Sequence, residues 1–329
     1  MKILIIRFSS IGDIVLTTPV VRCMKMQLPS KTEIHYLCKL AHKGLLTENK
    51  YIDKIWVLQP NLSQTIRDIN AQKFDYIIDL QNNLRTFFIK LFGKSKVYSV
   101  DKLNFRKFLL TQFKINAMPT LHIVDRYFET VMALDVKNDQ RGLDYFNPSA
   151  SSEIYDATEI TPQLNFIALA IGGQHATKRM PLDKLSALVH QLNYTIVLLG
   201  GKEDKHTGEL LGAMHKGKVI DLSGKLSLNQ SAGVLALSQA VITHDTGMMH
   251  IAAALQKPII ALWGNTVPEF GMGPYYGANE IGYYNSQVSD LKCRPCHKLG
   301  HESCPKGHFK CMNLQNIQSI TEALNKVMA

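Results

Sequence analysis

Nowhere does the 329-residue chain approach the roughly 18 consecutive apolar residues of a membrane-spanning helix, so a helical integral membrane protein is not expected. No Gly-rich loop ends in Gly-Lys-Ser/Thr, and no Gly-x-Gly-x-x-Gly follows the first apolar run. Nucleoside triphosphatases and dinucleotide-dependent dehydrogenases therefore lose ground. The N-terminus lacks a small-residue cleavage site and reads as a strand entering a glycine loop, so a secretory leader is not expected. The compartment expected is the cytoplasm, with peripheral contact at the inner face of a membrane. Basic residues are few in the second half, where they barely outnumber the acids. Residues 1–150 hold 22 Lys/Arg and 13 Asp/Glu, leaving 15 and 14 for the rest, so nearly all of the +10 formal charge is N-terminal. A solvated surface explains such an excess as well as an anionic partner does. From Arg85 to Lys114 the only acid is Asp101, whereas Arg85, Lys90, Lys94, Lys96, Lys102, Arg106, Lys107 and Lys114 alternate with Phe87, Phe88, Leu91, Phe92, Phe105, Phe108 and Leu109. Cations interleaved with apolar side chains suit a membrane surface or a phosphorylated amphiphile.

What is present is an α/β pattern, stated twice. Hydrophobic residues at 46% and charged at 19% are ordinary for a soluble protein, and the length suggests two domains. Strands are expected at Lys2–Arg7, Glu33–Cys38, Lys54–Leu58, Tyr76–Leu80 and Lys96–Val100, with helical spacing between them. The pattern restarts at Asn165–Ala170 and continues through Thr195–Leu199, Val219–Leu222, Ala240–Thr243 and Pro258–Trp263. Alternation of this kind implies parallel sheets covered by helices. Phe146–Gln163, with Asn147-Pro148, a serine patch and Thr161-Pro162, has little periodicity and is the linker candidate. The expected division is an N-terminal domain at 1–150, a linker at 151–163 and a C-terminal domain at 164–313, with a cleft between two Rossmann-like halves. Ligands in such sheets bind beyond the carboxyl ends of strands.

Two strand ends carry chemistry. After Ile3-Leu4-Ile5-Ile6 comes Arg7-Phe8-Ser9-Ser10-Ile11-Gly12-Asp13, and the next helix is expected to start at Thr18-Pro19. Asp13 then stands in a loop, either taking a proton from a bound hydroxyl or bonding loop amides as an Asx-turn. The second strand end, Thr243-His244-Asp245-Thr246-Gly247-Met248-Met249-His250, opens a helix whose free N–H groups make an anion site. Gly247 lets a diphosphate approach the backbone. Asp245 fits either a helix cap or a ribose hydroxyl, and His250 either a ligand contact or a buried structural histidine. Gly172-Gly173 and Lys178-Arg179, before the helix begun by Pro181, add cations near another helix start.

In order along the chain, Ser9-Ser10-Ile11-Gly12-Asp13 with Thr17-Thr18-Pro19, Thr177-Lys178-Arg179-Met180-Pro181, and Asp245-Thr246-Gly247-Met248-Met249-His250-Ile251-Ala252-Ala253-Ala254-Leu255 resemble the corresponding motifs of glycosyltransferase family 9, the ADP-heptose:lipopolysaccharide heptosyltransferases. The resemblance covers nearly the whole chain. It implies the GT-B fold, an ADP-activated heptose donor, a lipid A or inner-core acceptor, and inversion without a catalytic metal or other required cofactor. It also implies that Asp13 is the base, that Ser9, Ser10 and Gly12 lie on the acceptor side, and that Lys178 stabilises the leaving diphosphate. Gly172, Gly173, Asp245, Thr246, Gly247 and His250 then serve the donor. The last helix, 314–329, is implied to pack back on the N-terminal domain. Gly264-Asn265-Thr266-Val267-Pro268 and Met180 depart from the family pattern, which bears on donor identity. Nucleic acid is not the expected partner. The competing readings are another GT-B activity on a different nucleotide sugar, and a non-catalytic nucleic-acid- or membrane-binding protein using the basic half.

Cys293, Cys296, Cys304 and Cys311 form C-x2-C-x7-C-x6-C, interleaved with His297, His301 and His308. In a cytosolic chain this spacing suggests structural zinc before disulfides, with packing thiols or a redox pair as the other readings. The cluster is expected to lie away from the strand-end loops.

Overall fold

The computed structural model describes residues 1–329. The chain divides into two compact units, each built on its own parallel sheet. Met1–Asn104, Leu121–Asn147 and Gly277–Asn279 form the first. Its strands are β1 Lys2–Ile6, β2 Glu33–Cys38, β3 Lys54–Val57, β4 Tyr76–Asp79 and β5 Lys96–Ser99, in the order β3-β2-β1-β4-β5 and parallel at every pair. Parallel neighbours require crossover connections, which helices such as Thr18–Gln27 and Leu62–Ala71 supply. The chain runs outward from β1 to β3 and then returns to β4, so the order reverses beside β1. The segment that carries Asp13 thus leaves the sheet at its switch point, where open α/β sheets bind ligands. Central β1 has Ile3 to Ile6 wholly buried, as a strand covered on both faces should be.

Phe105–Thr120, Pro148–Tyr276 and Glu280–Ala329 form the second unit. Its strands are β6 Phe166–Ala170, β7 Thr195–Leu199, β8 Val219–Asp221, β9 Ala240–His244, β10 Ile259–Trp263 and β11 Tyr283–Gln287, again all parallel, in the order β11-β10-β9-β6-β7-β8. Here the reversal lies between β6 and β9. Their carboxyl ends carry Gly172-Gly173 and His244–Gly247.

All ten expected strands occur within one residue of their expected ends, and the α/β class with two parallel sheets is borne out. An eleventh strand, β11, was not expected: only Ser286 of its five residues is buried, so this edge strand has no apolar run to signal it. Three expected boundaries need correction. Ser151–Ala157, placed in the linker, is a helix whose Ile154 is buried against helix Leu228–Leu237, where a Cβ on Gly233 would lie 3.0 Å from the Ile154 side chain. One buried residue leaves little periodicity to read, and the units part at Asn147 and Pro148. Residues 105–120, placed in the first domain, belong to the second unit because Leu110 is buried with Val267 and Phe270. The last helix, Ile317–Met328, also belongs to the second unit. Its Ile320, Ala323 and Leu324 recur at helical spacing and complete the core around Leu188, Leu192, Ile260 and Leu262, so the helix is an integral part of this unit's core rather than a separate appendage.

Candidate functional site

Asp13 does not stand in an open loop. Ser10 precedes a short helix, Ile11–Val15, and Asp13 sits in its first turn, where its carboxylate accepts from the Ser10 N–H at 3.0 Å and the Ser10 hydroxyl at 2.9 Å. Thr18 and Pro19 are the first two residues of the following helix, with Thr17 before them as the cap. The other Asp13 oxygen lies 2.6 Å from the Arg7 guanidinium. Arg7 is buried and also donates to the carbonyls of Ser9 and Leu80 and to the Tyr127 hydroxyl. Burial pushes the Asp13 carboxyl up, but the charge of Arg7 and the two Ser10 donors outweigh it and hold the group below the ordinary carboxylate value. Asp13 is thus an ionised carboxylate at neutral pH with both oxygens engaged. Ser9, Ser10 and Gly12 shape the turn that presents it.

The second site assembles from residues far apart in sequence. Lys178, which follows a short turn after β6, places its ammonium 2.6 Å from the Asp245 carboxylate and 3.0 Å from the Asp245 carbonyl. The Thr266 hydroxyl, beyond β10, donates to the same carboxylate oxygen at 2.8 Å. With Asp245 held in this way, the cap position of helix Gly247–Ala254 falls to Thr246, whose extended backbone makes no side-chain cap bond. The helix start therefore keeps its N–H groups and positive dipole end beside Lys178, an arrangement whose charge suits an anion. Neighbouring His244 fixes the frame. It is buried, its Nε2 accepts from the Met180 N–H at 3.0 Å, and its Nδ1 lies 3.1 Å from the Gly172 carbonyl, which only an Nδ1–H can bond. Burial pulls its pKa down to about 4, so the ring is neutral.

The two glycines have different duties. A Cβ on Gly172 would come within 2.4 Å of the Asp204 carboxylate, so this position exists for close approach of a buried acid. Gly173 accepts from Arg179 Nε at 2.6 Å and borders the Thr246 side chain. Arg179 in turn lies 3.4 Å from Asp204, which places it in the frame beneath Lys178. His250 is buried in its helix, consistent with the structural reading of that histidine.

Residues 62–301 match the model of glycosyltransferase family 9 (heptosyltransferase), well over half of the chain. The chain belongs to glycosyltransferase family 9. It is a glycosyltransferase of the GT-B class. It is 26% identical over 299 residues to a lipooligosaccharide heptosyltransferase 2 of Haemophilus influenzae, covering 82% of this chain and 85% of that one. A solved family 9 glycosyltransferase of Veillonella parvula superposes with a TM-score of 0.78 at 21% identity, over 99% of this chain and 97% of that one. The Escherichia coli ADP-heptose LPS heptosyltransferase II superposes at 0.73 and 19% identity, over 100% and 98%.

Within this family 9 enzyme the segment after β11 lies closer to the site than its sequence suggested. Thr177 exchanges hydrogen bonds with the backbone of His301, and its hydroxyl also donates to Asn265, whose carbonyl accepts from the Cys296 N–H. The cysteine segment therefore packs on the turn that carries Lys178, correcting the expectation that it lies apart from the strand-end loops. All six cysteines are free; Cys311 is buried, Cys293 touches His308 at 3.8 Å, and burial pushes the Cys296 and Cys311 thiols up. No three Cys, His, Asp or Glu side chains converge as metal ligands, so the geometry lends the zinc reading of Cys293, Cys296, Cys304 and Cys311 no support. Beside this segment a cavity of about 680 Å³ is lined by Lys114, Gln287, Lys292 and Arg294, and Arg294 donates to the Gly264 and Thr266 carbonyls. Sequence reasoning missed Arg7, Tyr127, Thr266, Asp204 and Arg294. Arg7 had a signal, being the cation that opens the Asp13 loop; the others meet the site only through the fold. No helix is long and apolar enough to cross a membrane.

Proposed function

We propose that this enzyme moves a heptose from ADP-heptose to a lipid A or inner-core acceptor of lipopolysaccharide, by one displacement that inverts the anomeric centre. The observation that carries the donor half is the Lys178–Asp245–Thr266 cluster beside the uncapped helix at Thr246 and Gly247. The nucleotide and sugar follow from the names of the relatives, one an ADP-heptose LPS heptosyltransferase. In the reaction an acceptor oxygen forms a bond to the anomeric carbon while the bond from that carbon to the diphosphate oxygen breaks. The acceptor proton goes to the Asp13 carboxylate, and the electron pair leaves with the diphosphate. Lys178 and the helix N–H groups compensate the charge that develops there, so this reading calls for no cofactor. The acceptor's lipid places the enzyme at the cytoplasmic face of the inner membrane, in peripheral contact.

A purely structural Asp13 is favoured by its complete set of partners, and one variant separates the two roles. Asp13→Asn keeps the shape. As a base, Asp13 contributes roughly 10²- to 10⁴-fold in rate, so turnover should fall by that factor with donor binding retained. Undiminished turnover would remove Asp13 from the chemistry. The reaction itself is tested by mass spectrometry of a defined lipid A–core acceptor incubated with ADP-, UDP- or GDP-linked sugars. A heptose increment from the ADP donor is expected; transfer from a uridine or guanosine donor alone would sink the heptose assignment.

A further inference from the structure

Helix Leu84–Phe92 reads Leu-Arg-Thr-Phe-Phe-Ile-Lys-Leu-Phe, and only Thr86 and Ile89 are buried. Leu84, Phe87, Phe88, Leu91 and Phe92 are between 37% and 72% exposed, five large apolar side chains on nine residues. A helix serving only the core would place polar residues there, and a contiguous apolar face of this kind marks an interaction surface. The helix is not loose. Asn83 caps it by accepting from the Thr86 N–H at 3.1 Å, Lys90 pairs with buried Asp79 at 3.1 Å, and the Asn70 side chain holds the Phe92 carbonyl at 2.9 Å. Phe88 and Phe92 stack with centroids 6.5 Å apart. Along this stretch of the chain the unpaired charge has one sign. No acidic residue occurs between Asp79 and Asp101, and Arg85 and Lys94 form no ion pair.

We infer that this helix docks the enzyme on an anionic lipid bilayer, with Phe87, Leu91 and Phe92 entering the interface and Arg85 and Lys94 meeting the headgroups. Charge complementarity decides the occupant. A second copy would bring the same unpaired cations against themselves, whereas an anionic leaflet attracts them and accepts the aromatic side chains. The second unit repeats the chemistry on its own account: Phe105, Phe108, Phe113 and Ile115 are exposed among Arg106, Lys107 and Lys114, while Leu110 anchors the segment. The inference deepens the reading of a lipid-linked acceptor and rests on it for the choice of a membrane.

The test floats the full-length protein with phosphatidylcholine vesicles, with and without phosphatidylglycerol. The wild type should float with the anionic vesicles, less so as salt rises. The triple variant Phe87→Ser/Leu91→Ser/Phe92→Ser should float about tenfold less, and Arg85→Glu/Lys94→Glu should lose the preference for anionic lipid. A wild type that ignores both vesicles, or a triple variant that floats equally well, overturns the inference. So does a concentration-dependent dimer that the triple variant turns into monomer. Circular dichroism establishes that each variant is folded. Transfer to a de-acylated, water-soluble acceptor should be unchanged in the triple variant; if no protein transfers sugar yet the wild type floats, the functional reading fails and the docking surface stands.

Discussion

The His244 imidazole is saturated by two backbone partners, one donating and one accepting, and a second ring proton would face the Met180 N–H. Its folded pKa of about 4 lies below the ordinary 6.5, so the unfolded chain binds a proton that the folded chain refuses between those values. Stability must therefore rise with pH across this window. The His244 contribution is complete above about pH 6.5 and lost as pH falls toward 4, amounting to about 3 kcal/mol at about 1.4 kcal/mol per unit. Urea melts of wild type and His244→Asn should converge as pH is lowered from neutrality to 4.5. A gap between the two that is the same at both ends would show that the ring is not the group responsible. This matters for function because His244 ties Gly172 and Met180 to the strand end that presents Asp245. The residue was visible in sequence as part of the His-Asp-Thr-Gly loop, yet its duty was not, since neither of its partners is a side chain.

At the scale of elements, legibility followed burial. The central strands announced themselves because a strand covered on both faces must be apolar throughout, and turns of Gly, Asn and Asp closed them. Strand β11 and helix Ser151–Ala157 were silent because one buries a single serine and the other a single isoleucine among their larger contacts. A different element contact is testable. Helix Thr18–Gln27 is fastened to the segment near Asp139 by Arg22, whose guanidinium is almost wholly buried and bonds both Asp139 oxygens at 2.8 and 2.7 Å, together with Asp144 and the Gly142 carbonyl. Arg22→Met retains the length of the side chain but leaves two carboxylates without their cation. Removing one partner of a buried ionic cluster costs about 3 kcal/mol, with the partly exposed carboxylates setting the lower end of that range. Chemical denaturation should report a loss near this size, and a change below about 0.5 kcal/mol would mean that water already satisfies the two acids.

For the whole molecule, the division of labour follows from which unit holds which motif. Asp13 with Arg7 belongs to the first sheet, whereas Lys178, Asp245, Thr266 and the helix start at Gly247 all belong to the second. Each motif could be read locally because it sits at the end of an apolar strand, but the separation of 67 positions between Lys178 and Asp245 hid their contact, which exists only because β6 and β9 are neighbours. If the second unit alone receives the diphosphate, donor binding must slow amide exchange there first. A ligand at 100 times its dissociation constant stabilises the state that binds it by about 2.7 kcal/mol, enough to slow exchange by sub-global opening about a hundredfold. Hydrogen-exchange mass spectrometry with ADP should therefore show protection in peptides spanning 172–180 and 244–254. Peptides spanning 9–15 should be unaffected until acceptor is added. Lys178→Met should weaken the protection and Asp13→Asn should leave it intact. Equal protection of the Asp13 peptides by ADP alone would mean that the first unit also receives the diphosphate, and Lys178 would lose its role as the cation that meets the leaving group.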